Sequence, residues 1–439
     1  MEYLSCSQEL VDFIATCPSS FHTVASIRRE LDAAGFAYLR ETDDWCLLPG
    51  HAYYTVRNGS SLIAFKVGED LSCYHFQLCA SHTDSPTYKL KSLPTLEGPD
   101  SYVRLNVEGY GGMIDYSWLD RPLSLAGRVM VASEGTIQSR LLYFDRDLLL
   151  IPSLSIHMNR EVNAGYEFNR QVDLCPLFSA GELSSEDFAK LLADELGVLP
   201  EQLLSFDLTL VNRQRGSVWG AAREFVSAPR IDDLQCVFVT LKGFLASNNP
   251  HAVSVCAFID SEEVGSGSRQ GALSTFLRDT LVRLNAALGK DESAYLRALS
   301  QSILLSCDNA HALHPNHPEM ADVRNRPQLN GGLVIKEHAG QLYATDAFGR
   351  AALLALCREA GVPTQTFANR SDKRGGSTLG NLSTRQVSLC SVDVGLAQLA
   401  MHSSYETAGS RDTAWGITAT RAFYDADLRL DGSDSLTLA

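Results

Sequence analysis

The stretch Val253-Ser254-Val255-Cys256-Ala257-Phe258-Ile259-Asp260-Ser261-Glu262-Glu263-Val264-Gly265-Ser266-Gly267 decides how the chain reads. Val253 to Ile259 is an apolar, β-favouring run that ends abruptly in the acids Asp260, Glu262 and Glu263, and a Gly/Ser-rich turn follows. A buried strand that delivers carboxylates at its C-terminal end is how open α/β sheets build their sites. Adjacent glutamates repel unless a cation lies between them or one keeps its proton. One chemistry wants both: a glutamate that ligates a metal, beside a glutamate that handles the proton of an activated water. Taken alone, the stretch fits a solvated acidic loop equally well, so the remaining sequence has to decide.

The 439 residues are too many for one compact domain, and two are expected. With 45% hydrophobic and 20% charged residues, the composition is that of a globular chain with a sizeable core. A net charge of -15 without any Lys/Arg run argues against nucleic acid or an anionic membrane surface as partner. The opening residues carry neither the basic region nor the apolar core of a signal peptide, and no apolar run is long enough to span a bilayer. The 11 cysteines include no Cys-x-x-Cys pair, and Cys79, Cys236, Cys256 and Cys390 sit inside apolar runs. They read as reduced core thiols of a cytoplasmic protein.

Helical spacing marks residues 8–17 and 21–34 as helices, and Asn58-Gly59 joins strands 52–57 and 61–67 as a hairpin. Another strand, 74–80, runs into Ser81-His82-Thr83-Asp84-Ser85-Pro86. After Pro94, short strands and Gly-rich turns follow one another, interrupted by a single helix near 186–196. From Pro229 strand and helix alternate: helices over 232–245, 273–288, 292–302, 348–360 and 411–427, and strands over 253–259, 303–307, 364–367 and 386–391. That alternation predicts an α/β sandwich with a mostly parallel central sheet. Residues 1–92 and 228–439 form it together, and a β-rich domain, 93–227, is inserted between them.

Other acids and histidines stand where the two glutamates need them. His82 and Asp84 follow a strand as His-x-Asp, so the carboxylate can take one imidazole N–H while the other nitrogen binds a metal. Asp232-Asp233 open a helix, the place for a carboxylate that bridges two cations. Asp308 ends the strand 303–307, and His402 follows an apolar run. A lone histidine beside an apolar run is more often a satisfied core residue, and a lone aspartate at a strand end more often a cap. Together, at successive element ends, they fit a two-metal hydrolytic site.

These residues also carry a family resemblance. Ser81-His82-Thr83-Asp84-Ser85-Pro86, Arg230-Ile231-Asp232-Asp233-Leu234, Asp260 to Ser266, Asp308 to Asn316, Gly375 to Gly380 and Gln398 to Ser403 occur in order along nearly the whole chain. In these motifs the chain resembles the aspartyl aminopeptidases, cytosolic exopeptidases with a zinc-exopeptidase-like fold that work with two divalent metals. The resemblance implies that His82, Asp232 and Asp308 hold one metal, and Asp232, Glu263 and His402 the other. Zinc is expected, with cobalt or manganese as alternatives. It makes Glu262 the general base and has Asp84 orient His82. Lys336 matches a family lysine beside the acidic side chain of the substrate; its rival reading is a solvated strand-end lysine. His157 matches a histidine of the inserted domain that enters the neighbouring subunit's site, against a plain surface histidine. Pro315 and Pro318 break the His311-His314-His317 tract, so only His311 is a site-lining candidate.

The implied activity is removal of Asp or Glu from peptide N-termini, by a homo-oligomer built from dimers, a dodecamer by resemblance. One departure bears on specificity: Ser371-Asp372-Lys373-Arg374 stands where the family often has a proline-containing loop. Two alternatives remain open, another two-metal exopeptidase such as a neutral aminopeptidase or a carboxypeptidase, and a non-catalytic assembly protein that retains the fold.

Overall fold

The computed structural model describes residues 2–438. Its largest sheet has nine strands: β1 Ala37–Tyr38, β2 Ala52–Arg57, β3 Ser61–Val67, β4 Phe76–His82, β5 Val253–Ile259, β6 Ile303–Cys307, β7 Leu333–Glu337, β8 Thr364–Ala368 and β9 Cys390–Gly395. They lie in the order β1-β2-β3-β5-β4-β6-β9-β7-β8. The central strands β5, β4, β6 and β9 are mutually parallel, as are β7 with β8 and β1 with β2. Strand β3 runs antiparallel to β2 and β5, and β9 runs antiparallel to β7. The chain is thus α/β with a mostly parallel central sheet. At the β2–β3 hairpin Asn58 and Gly59 take φ of 58° and 73°, the two positive angles a type I′ turn requires.

Both faces of this sheet are buried, which is why β5 and β6 read as nearly continuous apolar runs. Cys256 and Phe258 of β5 face one core with Cys79, Leu305 and Val394. That core is covered by helices Glu2–Ala15, Ser20–Ala33, Ile231–Ala246, Ala347–Glu359 and Asp412–Asp425. Val253, Val255, Ala257 and Ile259 face the other, with Leu78 and Leu304, under helices Phe276–Ala287, Glu292–Gln301 and Leu379–Ser383. Cys79, Cys236 and Cys256 are buried in the first core, whereas Cys390, at the start of β9, is only partly buried.

A second sheet of six antiparallel strands draws on residues 87–212 and packs helix Asp187–Leu196 against its own core around Tyr88, Leu125, Phe188 and Leu210. Its first strand, Thr87–Glu97, runs across the boundary expected near residue 92. Pro94 conceals this strand in the sequence; it falls in the register shift between Leu90 and Thr95, where no ladder bond is demanded of it. A five-stranded sheet near the site joins Ser217–Trp219, Phe225–Ala228, Glu406–Gly409, Ala397–Leu399 and Ala310–His311. The strand expected over 386–391 begins instead at Cys390 and runs to Gly395. The buried charge of Asp393 disguised it, and that carboxylate is satisfied by Thr378 Oγ1 and the Ala344 N–H. No helix among the described residues is long and apolar enough to cross a membrane.

Candidate metal centre

The parallel register brings the acids and histidines to one edge of the sheet. Ile259 of β5 pairs with His82 of β4, and Ser306 of β6 pairs with Ala80, so Asp308 emerges level with His82. After β5 the chain turns sharply: Ser261 and Gly265 take φ of 66° and 88° around the short turn Glu262–Val264. Asp232 and Asp233 open the helix Ile231–Ala246 but keep non-helical backbone angles, so their side chains leave the helix axis for the site. His402, at φ 67°, comes from the loop between Ala397–Leu399 and Glu406–Gly409.

Each oxygen of the Asp232 carboxylate faces a different group. Oδ1 lies 3.4 Å from His82 Nε2, which is itself 4.0 Å from Asp308 Oδ1. Oδ2 lies 3.3 Å from His402 Nε2, which is 3.4 Å from Glu263 Oε2. Two triads therefore share one bridging carboxylate, and within each the nearest donor atoms lie within 4.8 Å of one another. Asp232 Oδ1 and Glu263 Oε1 are buried and accept no hydrogen bond, an arrangement that is costly unless a cation takes them. The donor set of carboxylates and imidazoles suits zinc or a similar divalent ion. These residues fit a pair of metals.

The electrostatics agree with such a site. Burial pushes Glu262 up to about 8, with the charges of Asp308, Asp84 and Asp232 adding to it against His82. Burial and Asp232 carry Glu263 well above the usual carboxylate range. His82 is raised well above its ordinary value, because Asp233, Asp232 and Asp84 outweigh its burial. His402 rises to about 10 for the same reason, through Asp232 and Glu263. Only Asp232 is held low, since His402 and His82 together override its burial.

The orienting groups differ in part from expectation. His82 Nδ1 lies 3.1 Å from the Asp84 carbonyl and 3.4 Å from its carboxylate, so the backbone shares in fixing the ring. The Asp84 carboxylate instead accepts the N–H groups of Glu262 at 3.1 Å and Glu263 at 3.2 Å. Two acids that the sequence reading left without a role do related work. Asp233 accepts from the backbone N–H of His82 at 3.0 Å and of Asn309 at 3.3 Å. Glu406, 1% exposed, accepts from the N–H of His402 at 2.7 Å and of Asp232 at 2.9 Å. The only sequence signal for Glu406 is an acid inside the β-favouring Tyr405 to Ala408, where a charge needs a partner.

A cleft of about 280 Å³ opens over the cluster, and Lys336, His311, Tyr343 and Phe367 line its far side. Lys336 is no solvated lysine: it is 3% exposed, donates to the Asn309 carbonyl at 2.9 Å and lies 3.4 Å from Asp308 Oδ2. His311, exposed at the cleft wall, packs edge-on to Phe367, and desolvation within the cleft followed by the Lys336 charge lowers its pKa. His157 does not line the cleft; it sits in an exposed turn of the six-stranded domain. His314 and His317 are exposed loop residues.

The family model of the aminopeptidase I zinc metalloproteases (M18) matches residues 13–424. The probable M18 family aminopeptidase 2 of Clostridium novyi (strain NT) is 41% identical over 425 residues, covering 95% of this chain and 98% of its own. Among solved structures, the cryo-EM structure of the Ape4 and Nbr1 complex superposes with a TM-score of 0.93 at 35% identity, over 97% of this chain and 86% of that one. The S. cerevisiae mApe1 dodecamer gives a TM-score of 0.85 at 28% identity, over 97% of each chain. With the family matched over nearly its whole length, this chain belongs to the M18 aminopeptidases and is a metal-dependent aminopeptidase.

Proposed function

We propose that the chain removes acidic residues from the N-termini of peptides, with His82, Asp232 and Asp308 holding one zinc ion and Asp232, Glu263 and His402 a second. The observation that carries this reading is the Asp232 carboxylate, whose two oxygens face the two histidines at 3.4 and 3.3 Å. Bound there, the metals supply Lewis acidity toward the scissile carbonyl and acidify water. Glu262 borders the cleft beside the ligands, and its raised proton affinity suits a base that takes the water's proton and returns it to the leaving amine. Asp84, Asp233 and Glu406 hold the backbone under these groups through amide hydrogen bonds.

Lys336 supports the acidic preference, being the one lysine or arginine among the described residues lining the cleft. We assign assembly to the six-stranded domain, with dimers building a larger homo-oligomer in the cytoplasm and His157 of one subunit completing its neighbour's site. The mApe1 structure, a dodecamer, supports the homo-oligomer alone.

A second reading rests on an observation of its own. The Lys336 ammonium is already engaged by Asp308 and Asn309, and Tyr343 and Phe367 offer an apolar wall. On that reading Lys336 serves only as counter-ion, and neutral side chains are preferred. Assaying Asp-, Glu-, Leu- and Ala-anilides side by side separates the two. The proposal expects kcat/KM to be highest for Asp or Glu, and a preference for Leu overturns it.

A further inference from the structure

The turn Gly109-Tyr110-Gly111-Gly112 closes the strand Val103–Tyr110 of the six-stranded domain, yet it rests on the second metal triad. The Gly112 carbonyl lies 2.9 Å from His402 Nδ1, so the ring donates its N–H there and turns the Nε2 lone pair toward Asp232 and Glu263. The Ile114 N–H holds the His402 carbonyl at 3.0 Å, which helps to fix a backbone at φ 67°. Tyr110 Oη donates to Asp84 Oδ2 at 2.8 Å, and that same oxygen accepts the Glu263 N–H. Gly111, at φ +82°, lies so close that a Cβ there would be 3.2 Å from Glu263 Cβ and 3.4 Å from the Glu263 carbonyl. Glu263 and His402, the two ligands that belong to the second triad alone, are thus both seated against one turn of another sheet.

We infer that this turn sets the geometry of the second metal site from within the same chain, with Tyr110 a positioning residue that acts through Asp84. The inference rests on the two-metal reading above. It gives the six-stranded domain a second task besides assembly, because any shift in how it seats on the α/β body moves Glu263 and His402 together. The first triad is tied to the turn less directly: His82 and Asp308 stand at the ends of neighbouring parallel strands, and only the His82 ring shares a partner with the turn, through Asp84.

The test compares zinc retention in the full-length wild type, Tyr110→Phe, Gly111→Ala and Gly135→Ala. Gly135 has a similar φ of +79° in another turn of the same domain, and a Cβ there meets nothing within 4 Å. It carries the same backbone strain without the contact. Zinc-loaded proteins are dialysed against graded chelator, zinc per chain is measured by elemental analysis, and melting temperatures are recorded. The wild type and Gly135→Ala are expected to release their two ions alike. Gly111→Ala is expected to release one ion at roughly 10- to 100-fold lower chelator, as for the loss of an outer partner of a metal ligand, while the other ion stays; Tyr110→Phe, whose partner Asp84 also touches His82, is expected to loosen the same ion first and by the larger factor. If both variants hold both ions as tightly as Gly135→Ala, or lose both together with a collapsed melting transition, the inference is overturned. A wild type that holds fewer than two ions overturns the two-metal reading, and the inference with it.

Discussion

Replacing Lys336 by methionine removes one buried charge from the cleft and little volume. The ammonium lies 3.4 Å from Asp308 Oδ2 and 5.5 Å from the centroid of the Tyr343 ring, and it is almost wholly out of water. At an effective dielectric of about 20, two unit charges at that separation attract by about 5 kcal/mol. A substrate carboxylate brought to a similar distance gains an attraction of that order, reduced by its own desolvation to about 2–4 kcal/mol. Losing it should lower kcat/KM for Asp- and Glu-anilides by about 30- to 900-fold. The same mutation leaves Asp308 without its cation and changes metal affinity, but that effect falls on every substrate equally. The ratio of kcat/KM for Asp- over Ala-anilide, measured at saturating zinc, isolates the contact with the substrate. A ratio unchanged within about twofold would mean that Lys336 only balances Asp308, and the acidic preference would lose its physical basis.

Three further outcomes test the rest of the account. If His157 completes the partner's site, His157→Ala and Glu262→Gln chains are each nearly inactive alone, and refolding them together should restore about a quarter of wild-type activity, because half of randomly formed pairs carry one whole site of two; mixed pairs confirmed by differential tags that stay inactive would refute it. His22, lowered to about 4 by burial and then by the Arg230 and Arg29 charges, resists protonation that the unfolded chain accepts at about 6.5. Between those values the unfolded state binds more protons, so this stability is present above pH 6.5 and is lost as pH falls, by about 2 kcal/mol at pH 5; urea unfolding at pH 7 and pH 5 should show a smaller acid penalty in His22→Gln, and an equal one would remove His22 as the cause. A Cβ at Gly243 would collide with Thr420 Oγ1 and lie 2.8 Å from the Arg421 N, so Gly243→Ala should force apart helices Ile231–Ala246 and Asp412–Asp425 and cost about 1–3 kcal/mol; an unchanged melting temperature would show that the pair relaxes freely.

The parts of this architecture legible in the sequence are those in which one residue run carries its own reason. Strand β5 announces itself by six apolar residues in seven positions followed by acids, and the β2–β3 hairpin by Asn58-Gly59, because the cause of each lies within a few neighbours. His82, Asp308 and Glu263 could be proposed as neighbours because parallel strands deliver their C-terminal ends to one edge. What stayed hidden depends on pairing across long separations. Asp233 meets the His82 N–H across 151 positions, and Tyr110 reaches Asp84 from a different sheet. Neither partner has a local signature. Thr87–Glu97 and β9 were obscured for a simpler reason: a proline and an aspartate look wrong inside a strand until the bulge and the buried hydrogen bonds that accommodate them are seen.

The central claim, that adjacent glutamates divide the labour between proton and metal, is tested most directly by two isosteric variants measured side by side. Glu262→Gln and Glu263→Gln proteins are loaded with zinc and dialysed, and each is analysed for zinc per chain and for turnover of an Asp-anilide. The account expects Glu262→Gln to keep its zinc while turnover falls by about 10²- to 10⁴-fold, as when a general base is removed. It expects Glu263→Gln to lose one zinc ion per chain. Near-normal turnover in Glu262→Gln, or full zinc retention in Glu263→Gln, would contradict it.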